Sequence, residues 1–288
     1  MKSLADAFEV VAKRFPQDDE AQIFYALYLT ATQSPNDKTF ADTLKAAQIL
    51  EPQFKKHPDH PGVAHYLIHA YDSPPIAEKG VNAAKRYAEI APSAPHALHM
   101  PSHIFTRVGA WQDSVATNRR SAAVSLLEKE PNPALHAMDY MVYADLQLAR
   151  DKDASVVLQE ARGLNGINPN DWGPAYALAA IPARILVERG LWKDAMQLEP
   201  RPSKFPYTDA MTYFARALGA ARSGDVAAAD KEMQELARIV DALRTAKDNY
   251  WATEVEVERL SAAAWIAHAR GNSDEGFTLM RSAADMED

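Results

Sequence analysis

Two short segments of the chain, residues 65–72 and 95–105, hold five of its nine histidines. The segments read HYLIHAYD and PHALHMPSHIF, and their histidines are His65, His69, His96, His99 and His103. Imidazole is a common protein ligand for zinc, copper and iron, because its neutral ring offers a nitrogen lone pair near physiological pH. The clustering therefore predicts a metal site.

Each segment contains two histidines four residues apart, a spacing that places both rings on one face of a helix at about 6 Å. Superposing Pro61 on Pro95 brings the two pairs into one register. Neighbouring parallel helices lie about 8–10 Å apart, and zinc binds imidazole nitrogen at about 2.0–2.1 Å, so ligands from both helices can converge. The predicted ligands are His65, His69, His99 and His103.

Two further residues of these segments, Asp72 and His96, are the candidate catalytic residues. Each could serve as an extra ligand, as a group that orients a ligand, or as the general base. Arg107 could reach an anionic substrate, although a structural role is favoured for it. We expect one or two divalent ions, with zinc first and manganese, copper or iron as alternatives.

Two residues leave alternatives open. Pro101 lies between His99 and His103. It predicts either a kink or fresh helix start within the helix, or the first turn of a shorter helix over 101–109 that follows an ordered turn. His136 opens the next helix and either caps the site or lies on the surface.

Composition excludes several classes of function. The 288 residues are 47% hydrophobic and 24% charged, carry a net charge of −8 and include no cysteine. The charge argues against a nucleic-acid partner, and the absence of thiols excludes disulfides and a cysteine nucleophile. The absence of a long apolar run argues against a membrane partner, and the first residues lack the apolar stretch of a signal peptide, which makes the cytoplasm the default expectation. Nothing in the sequence predicts an oligomeric state.

The chain between these motifs predicts an all-α protein. Apolar residues recur with helical spacing, and Gly or Asp turns followed by acidic helix starts return every 35–45 residues or so, which is the period of a two-helix repeat. About seven hairpins are expected. Their first helices are predicted near 18–33, 60–72, 94–109, 134–149, 172–189, 207–223 and 251–270.

The segment HIFTRVGAWQDSVATNRRSAA resembles the tetratricopeptide repeat (TPR), with Phe105, Gly109 and Trp111 at motif positions. The resemblance extends over nearly the whole chain and is strongest at 60–127. The stretch 57–110 in addition resembles a bacterial group of histidine-rich TPR-containing proteins with no assigned activity. The resemblance implies a TPR-like α-solenoid, a right-handed superhelix forming a single domain over 1–288.

The resemblance also implies where the histidines point. In TPR proteins the second, fifth, ninth and twelfth residues of the first helix line the concave groove. His96, His99 and His103 match the second, fifth and ninth of these positions, whereas His65, His69 and Asp72 match the fifth, ninth and twelfth of the preceding repeat. These side chains should face one another across the groove.

Two functions remain open from the sequence. The first is a metal-dependent hydrolase, with zinc expected, that cleaves a phosphoester or ester-type small molecule in the groove. The second is a non-enzymatic TPR scaffold that binds a peptide or protein partner, with a structural or metal-storing histidine cluster. No nucleophile elbow, phosphate loop or dinucleotide motif offers a third.

Overall fold

The fold is all-α, as the sequence predicts. The computed structural model describes residues 2–34, 37–201 and 203–287, and within these ranges it contains sixteen α-helices, one 3₁₀ turn and no strand. No helix in the described ranges is both long enough and apolar enough to span a membrane.

The chain divides into two compact units, Met1–Leu148 and Ala149–Asp288. The helices of the first unit are α1 (Lys2–Arg14), α2 (Asp19–Thr30), α3 (Ala41–Lys56), α4 (Pro61–Tyr71), α5 (Val81–Ile90), α6 (Pro95–His99), α7 (Pro101–Arg107), α8 (Trp111–Leu127) and α9 (Pro131–Gln147). Those of the second are α10 (Asp151–Gly163), α11 (Trp172–Glu188), α12 (Trp192–Ala195), α13 (Pro206–Ser223), α14 (Val226–Thr245), α15 (Asn249–Ala269) and α16 (Ser273–Glu287). The single domain over 1–288 stays a prediction.

Helical hairpins are the building blocks of each unit. In the first unit α2 packs on α3, α4 packs on α5, and both α6 and α7 pack on α8. The first helices of successive hairpins are also in contact, since α2 contacts α4 and α4 contacts α7. The second unit repeats the pattern with α11, α13 and α15 as first helices. All seven predicted first helices are present within a few residues of their expected ends, except that the third is divided.

The two faces of α4 explain how its histidines come to face outward. Val63, Ala64, Leu67 and Ile68 are at most 1% exposed and belong to the core of the first unit. These positions form the apolar stripe of an amphipathic helix, so burying them turns the opposite face away from the core. His65 and His69 lie on that opposite face.

Close packing also fixes α7 against the preceding hairpin. A Cβ atom added to Gly80, in the 3₁₀ turn Ala77–Gly80, would lie 2.8 Å from Cδ1 of Ile104. Ile104 itself is fully buried. The absence of a side chain at Gly80 therefore lets α7, which carries His103, approach the turn that follows α4.

The second unit contains a half-buried glutamate in α15, Glu258, with one unpaired carboxyl oxygen in the part of the chain that the structure describes. Oε2 of Glu258 is buried and has no hydrogen-bond partner among the described residues. Burial, and to a smaller extent the charge of Glu254, raises the pKa of Glu258 to about 8. The folded protein therefore holds this proton more tightly than the unfolded chain does.

We predict that Glu258→Gln removes a pH-dependent loss of stability. Between pH 4.5, the ordinary pKa, and about pH 8 the unfolded chain releases the proton while the folded protein keeps it, so the free energy of unfolding falls as pH rises. The glutamine variant should gain stability relative to the parent as pH increases from 5 to 8. Urea unfolding at both pH values measures this, and exposed Glu78→Gln is the control. If the free energies of unfolding of variant and parent differ by the same amount at pH 5 and at pH 8, the prediction is wrong.

Candidate metal centre

The first helix of the third hairpin is divided in two at the candidate site. Proline has no amide hydrogen, and Pro101 begins α7 directly after α6 has ended at His99. Met100 between them keeps helical backbone angles, φ −53° and ψ −35°. Pro101 therefore gives a fresh helix start, and a helical residue instead of an ordered turn precedes it.

Hydroxyl groups satisfy the carbonyls around this break. Ser102 Oγ donates to the carbonyl of His99 at 2.7 Å, Thr117 Oγ1 donates to that of Leu98, and Ser121 Oγ donates to that of Pro95 at 2.7 Å. The last two donors lie on α8. Thr117 and Ser121, two polar residues on the buried face of α8, therefore pair with the backbone of α6.

Three imidazoles converge beside the break. One ring nitrogen from each of His99, His103 and His136 lies within 4.8 Å of the other two. Nε2 of His99 and Nε2 of His103 are 3.1 Å apart, and the rings of His99 and His136 are 4.5 Å apart between centroids. We call His99, His103 and His136 the inner triad.

Hydrogen bonds on the far side of two rings fix their tautomers. Asp72 Oδ2 accepts from Nδ1 of His103 at 2.8 Å, and Asn118 Oδ1 accepts from Nδ1 of His99 at 2.7 Å. The amide of Asn118 is oriented because its Nδ2 donates to the carbonyl of Ser114 at 2.9 Å. Both Nδ1 atoms therefore carry the hydrogen, and in neutral rings both Nε2 atoms present lone pairs to each other.

Two lone pairs at 3.1 Å repel unless a cation lies between them. A proton can bridge two nitrogens, but it does not engage a third. The approach of His136 to the same place therefore favours a metal ion, for which three nitrogen ligands are common. Ring orientation by an acceptor on Nδ1 is the usual arrangement behind a metal-bound histidine.

Asp72 is held on both oxygens. Its Oδ1 accepts from Nε of Arg107 at 3.0 Å, in addition to the bond from His103. Burial raises the pKa of Asp72, but the hydrogen bonds from His103 and Arg107 and the positive charge beside the carboxyl group outweigh burial and leave this pKa below its ordinary value. The carboxylate is thus ionised and positions His103.

Three further imidazoles meet on the more exposed side. Nε2 of His65 is 3.0 Å from Nε2 of His69 and 3.1 Å from Nε2 of His96. The ring of His65 stacks on Tyr87 of α5, with centroids 5.3 Å apart and planes 10° from parallel. We call His65, His69 and His96 the outer triad.

The surroundings keep these rings neutral. Burial, followed by the neighbouring imidazoles, lowers the pKa of His65 to about 3. Burial and then His103 lower the pKa of His69 to about 4, although His69 keeps a solvent-exposed edge. Burial also lowers the pKa of His96, His136 and, most strongly, His99. Neutral imidazole is the form that binds metals.

All four predicted ligands and both candidate catalytic residues lie in one region, but they fall into two groups. His99 and His103 join His136, whereas His65 and His69 join His96. The two groups are neighbours, since the rings of His69 and His103 are 6.4 Å apart. Arg107 donates from Nε to Asp72, and the choice between a structural role and substrate binding stays open.

Sequence reasoning missed Asn118, assigned no role to Tyr140 and left His136 undecided. Tyr140 of α9 packs its ring 4.8 Å from that of His99 and 5.2 Å from that of His103. Asn118 precedes two arginines in α8, which gives it the pattern of a solvated face, yet it is fully buried. The available signal was the run of small polar residues on α8, Ser114, Thr117, Asn118, Ser121 and Ser125, which share one helical face.

Comparison with known proteins finds no relative of this chain. No family model matches the chain, and no curated protein matches it. The functional assignment therefore rests on the site itself.

We predict that Asn118→Ala weakens metal binding about 10- to 100-fold, because it removes the acceptor that orients His99. Competition for zinc against a chromophoric chelator measures the affinity. Asn118→Asp keeps an oxygen acceptor and should retain most of the affinity, and exposed Asn82→Ala is the control. If the alanine variant, still folded, binds zinc as tightly as the parent, the orienting role is wrong.

Proposed function

We propose that the protein is a metal-dependent hydrolase whose divalent ion, zinc in the first instance, is held by His99, His103 and His136. The observation that carries this proposal is the pair of Nε2 lone pairs 3.1 Å apart, each ring fixed from behind, with a third imidazole converging on them. The donor set fits zinc, which takes nitrogen ligands, and copper or iron would also accept it.

Three protein ligands support catalysis better than four. A catalytic zinc usually keeps a fourth position open for water or substrate, whereas four histidines would close the coordination shell. Because the histidines fall into two groups, only three of them can bind this ion, and the fourth coordination position stays open. An ion in such a site lowers the pKa of bound water from 15.7 to about 7.

The neighbouring side chains support the same chemistry. Asp72 holds His103 in orientation and leaves its Nε2 available. Arg107, whose side chain is 45% exposed, keeps a positive charge next to the site and favours an anionic substrate. Tyr140 packs on the rings of His99 and His103 and limits their movement.

We further propose that the hairpins within each unit form a TPR-like solenoid, with the histidines on its concave groove. The supporting observations are the contacts between first helices of successive hairpins and the glycines with positive φ at the turns. Gly109, between α7 and α8, has φ +72° and lies at the turn position of the motif. The groove would admit a small-molecule substrate.

The test is metal content and hydrolysis by protein purified without a histidine tag. We expect zinc to co-purify, and we expect chelated protein to regain hydrolysis of bis(p-nitrophenyl) phosphate or p-nitrophenyl acetate on addition of Zn, Mn, Co or Cu. His103→Ala should lower the rate at least 100-fold with unchanged helicity, because it removes a ligand. His268→Ala, an exposed histidine in the second unit, is the matched control.

A contrary result would favour the scaffold. Less than half an equivalent of any transition metal, together with no gain of activity on metal addition, would overturn the hydrolase proposal. A peptide-binding or structural role for the groove would then be the better explanation of the histidines.

A further inference from the structure

Exposed apolar side chains are concentrated on two helices, α1 and α16. Among the described residues fourteen large apolar side chains are exposed, and seven of them lie on α1, directly after it, or on α16. The seven are Leu4, Val10, Val11, Phe15, Phe277, Met280 and Met286. Single exposed apolar residues are ordinary, whereas grouped ones mark interaction surfaces.

The first of these helices carries apolar side chains on two faces. Ala5 and Ala12 are buried, and α1 packs on α2. Leu4, Val11 and Phe15 are seven and four residues apart, a spacing that places them on one stripe of a helix, and they are 40–49% exposed. We call Leu4, Val11 and Phe15 the apolar stripe. The described part of the chain leaves this stripe open to solvent.

The outer face of α16 forms a groove. Asp274, Phe277 and Asp285 line this groove. Phe277 is 71% exposed, and it also borders a cavity of about 230 Å³ together with Met280 and with Trp265 of α15. A helix that lay along this face would therefore bury an aromatic ring between two carboxylates.

The charges of α1 and α16 are complementary when the two helices run antiparallel. A register with Val11 opposite Phe277 brings three pairs of opposite charges to within one residue of each other. The pairs are Arg14 with Asp274, Asp6 with Arg281, and Lys2 with Asp285. In the described ranges none of these six residues forms an ion pair, whereas the other two charges of α1, Glu9 and Lys13, bind each other at 3.2 Å.

The lengths of the two charge patterns also agree. At a rise of 1.5 Å per residue, Lys2 and Arg14 lie about 18 Å apart along α1, and Asp274 and Asp285 lie about 17 Å apart along α16. A parallel pairing about the same apolar contact brings none of the three pairs together. Complementary charge fixes the orientation of an interface and selects its partner, so the pattern favours α1 as the occupant of the groove.

We propose that α1 of one copy of the chain packs antiparallel on α16 of a second copy, so that the protein self-associates head to tail. The apolar stripe covers Phe277 and Met280, and the charged pairs set the register. The contact joins two different surfaces, so each added copy presents a free surface until a ring closes. This inference is independent of the proposed function, because none of these residues belongs to either histidine triad.

Light scattering after gel filtration, at several protein concentrations and with a chelator present, tests the self-association. The parent should form assemblies larger than a monomer, and so should the matched control Leu127→Glu, which changes an exposed apolar residue of α8. Phe15→Glu and Phe277→Glu should each be monomeric with unchanged helicity, because a charge replaces the apolar contact on one surface. A monomeric parent, or either variant associating like the parent, would overturn the proposal.

Mixing the two variants tests which surfaces meet. Phe15→Glu keeps its α16 surface and Phe277→Glu keeps its α1 surface, so an equimolar mixture should form a 1:1 dimer and nothing larger. If α1 instead paired with α1, or α16 with α16, one variant alone would still self-associate. That result, or a mixture that stays monomeric, would rule out the contact between α1 and α16.

Charge reversal tests the antiparallel register. Lys2→Glu combined with Arg14→Glu should weaken association about 10-fold, because repulsion replaces two attractions. Adding Asp274→Lys and Asp285→Lys to the same chain should restore association. Undiminished association of the double variant, or no recovery in the fourfold variant, would show that the register is wrong.

Discussion

The candidate site depends on the hydrogen bonds behind two imidazole rings. The contacts from His103 to Asp72 and from His99 to Asn118 determine which nitrogen of each ring carries the hydrogen. Without them, the short approach of the two Nε2 atoms would be an ordinary N–H···N hydrogen bond. With them, the two Nε2 atoms present lone pairs to each other, which is the form in which imidazole binds a metal ion.

The division of α6 from α7 makes this arrangement compatible with a helix. Pro101 removes one backbone donor, and the hydroxyls of Ser102, Thr117 and Ser121 take up carbonyls of α6. A buried carbonyl without a donor costs about 1–3 kcal/mol, so the hydroxyls of α8 on the carbonyls of Leu98 and Pro95 stabilise the helix that precedes the break. The same face supplies Asn118, so one surface both bonds to the backbone of α6 and orients the ring of His99.

Much of the fold follows from local pattern. Helical spacing of apolar residues and the Gly or Asp turns predicted the all-α class and the positions of the seven first helices, because both signals act within a few residues. Their assembly into hairpin contacts within each unit agrees with the repeat period. The solenoid path and the single domain depend on long-range geometry, and local pattern does not specify it.

The sequence by itself determined which histidines pair, since a spacing of four residues puts His65 and His69 on one face of α4. His99 and His103 stay paired across the break because Met100, between α6 and α7, keeps helical backbone angles. Only the tertiary structure decided how the pairs are completed. His136 comes from α9 and His96 from α6, and their distances to the pairs depend on how the helices pack. Tertiary packing also buried Asn118 behind His99, because a hydrogen-bond partner on another helix leaves no periodic signal in the chain.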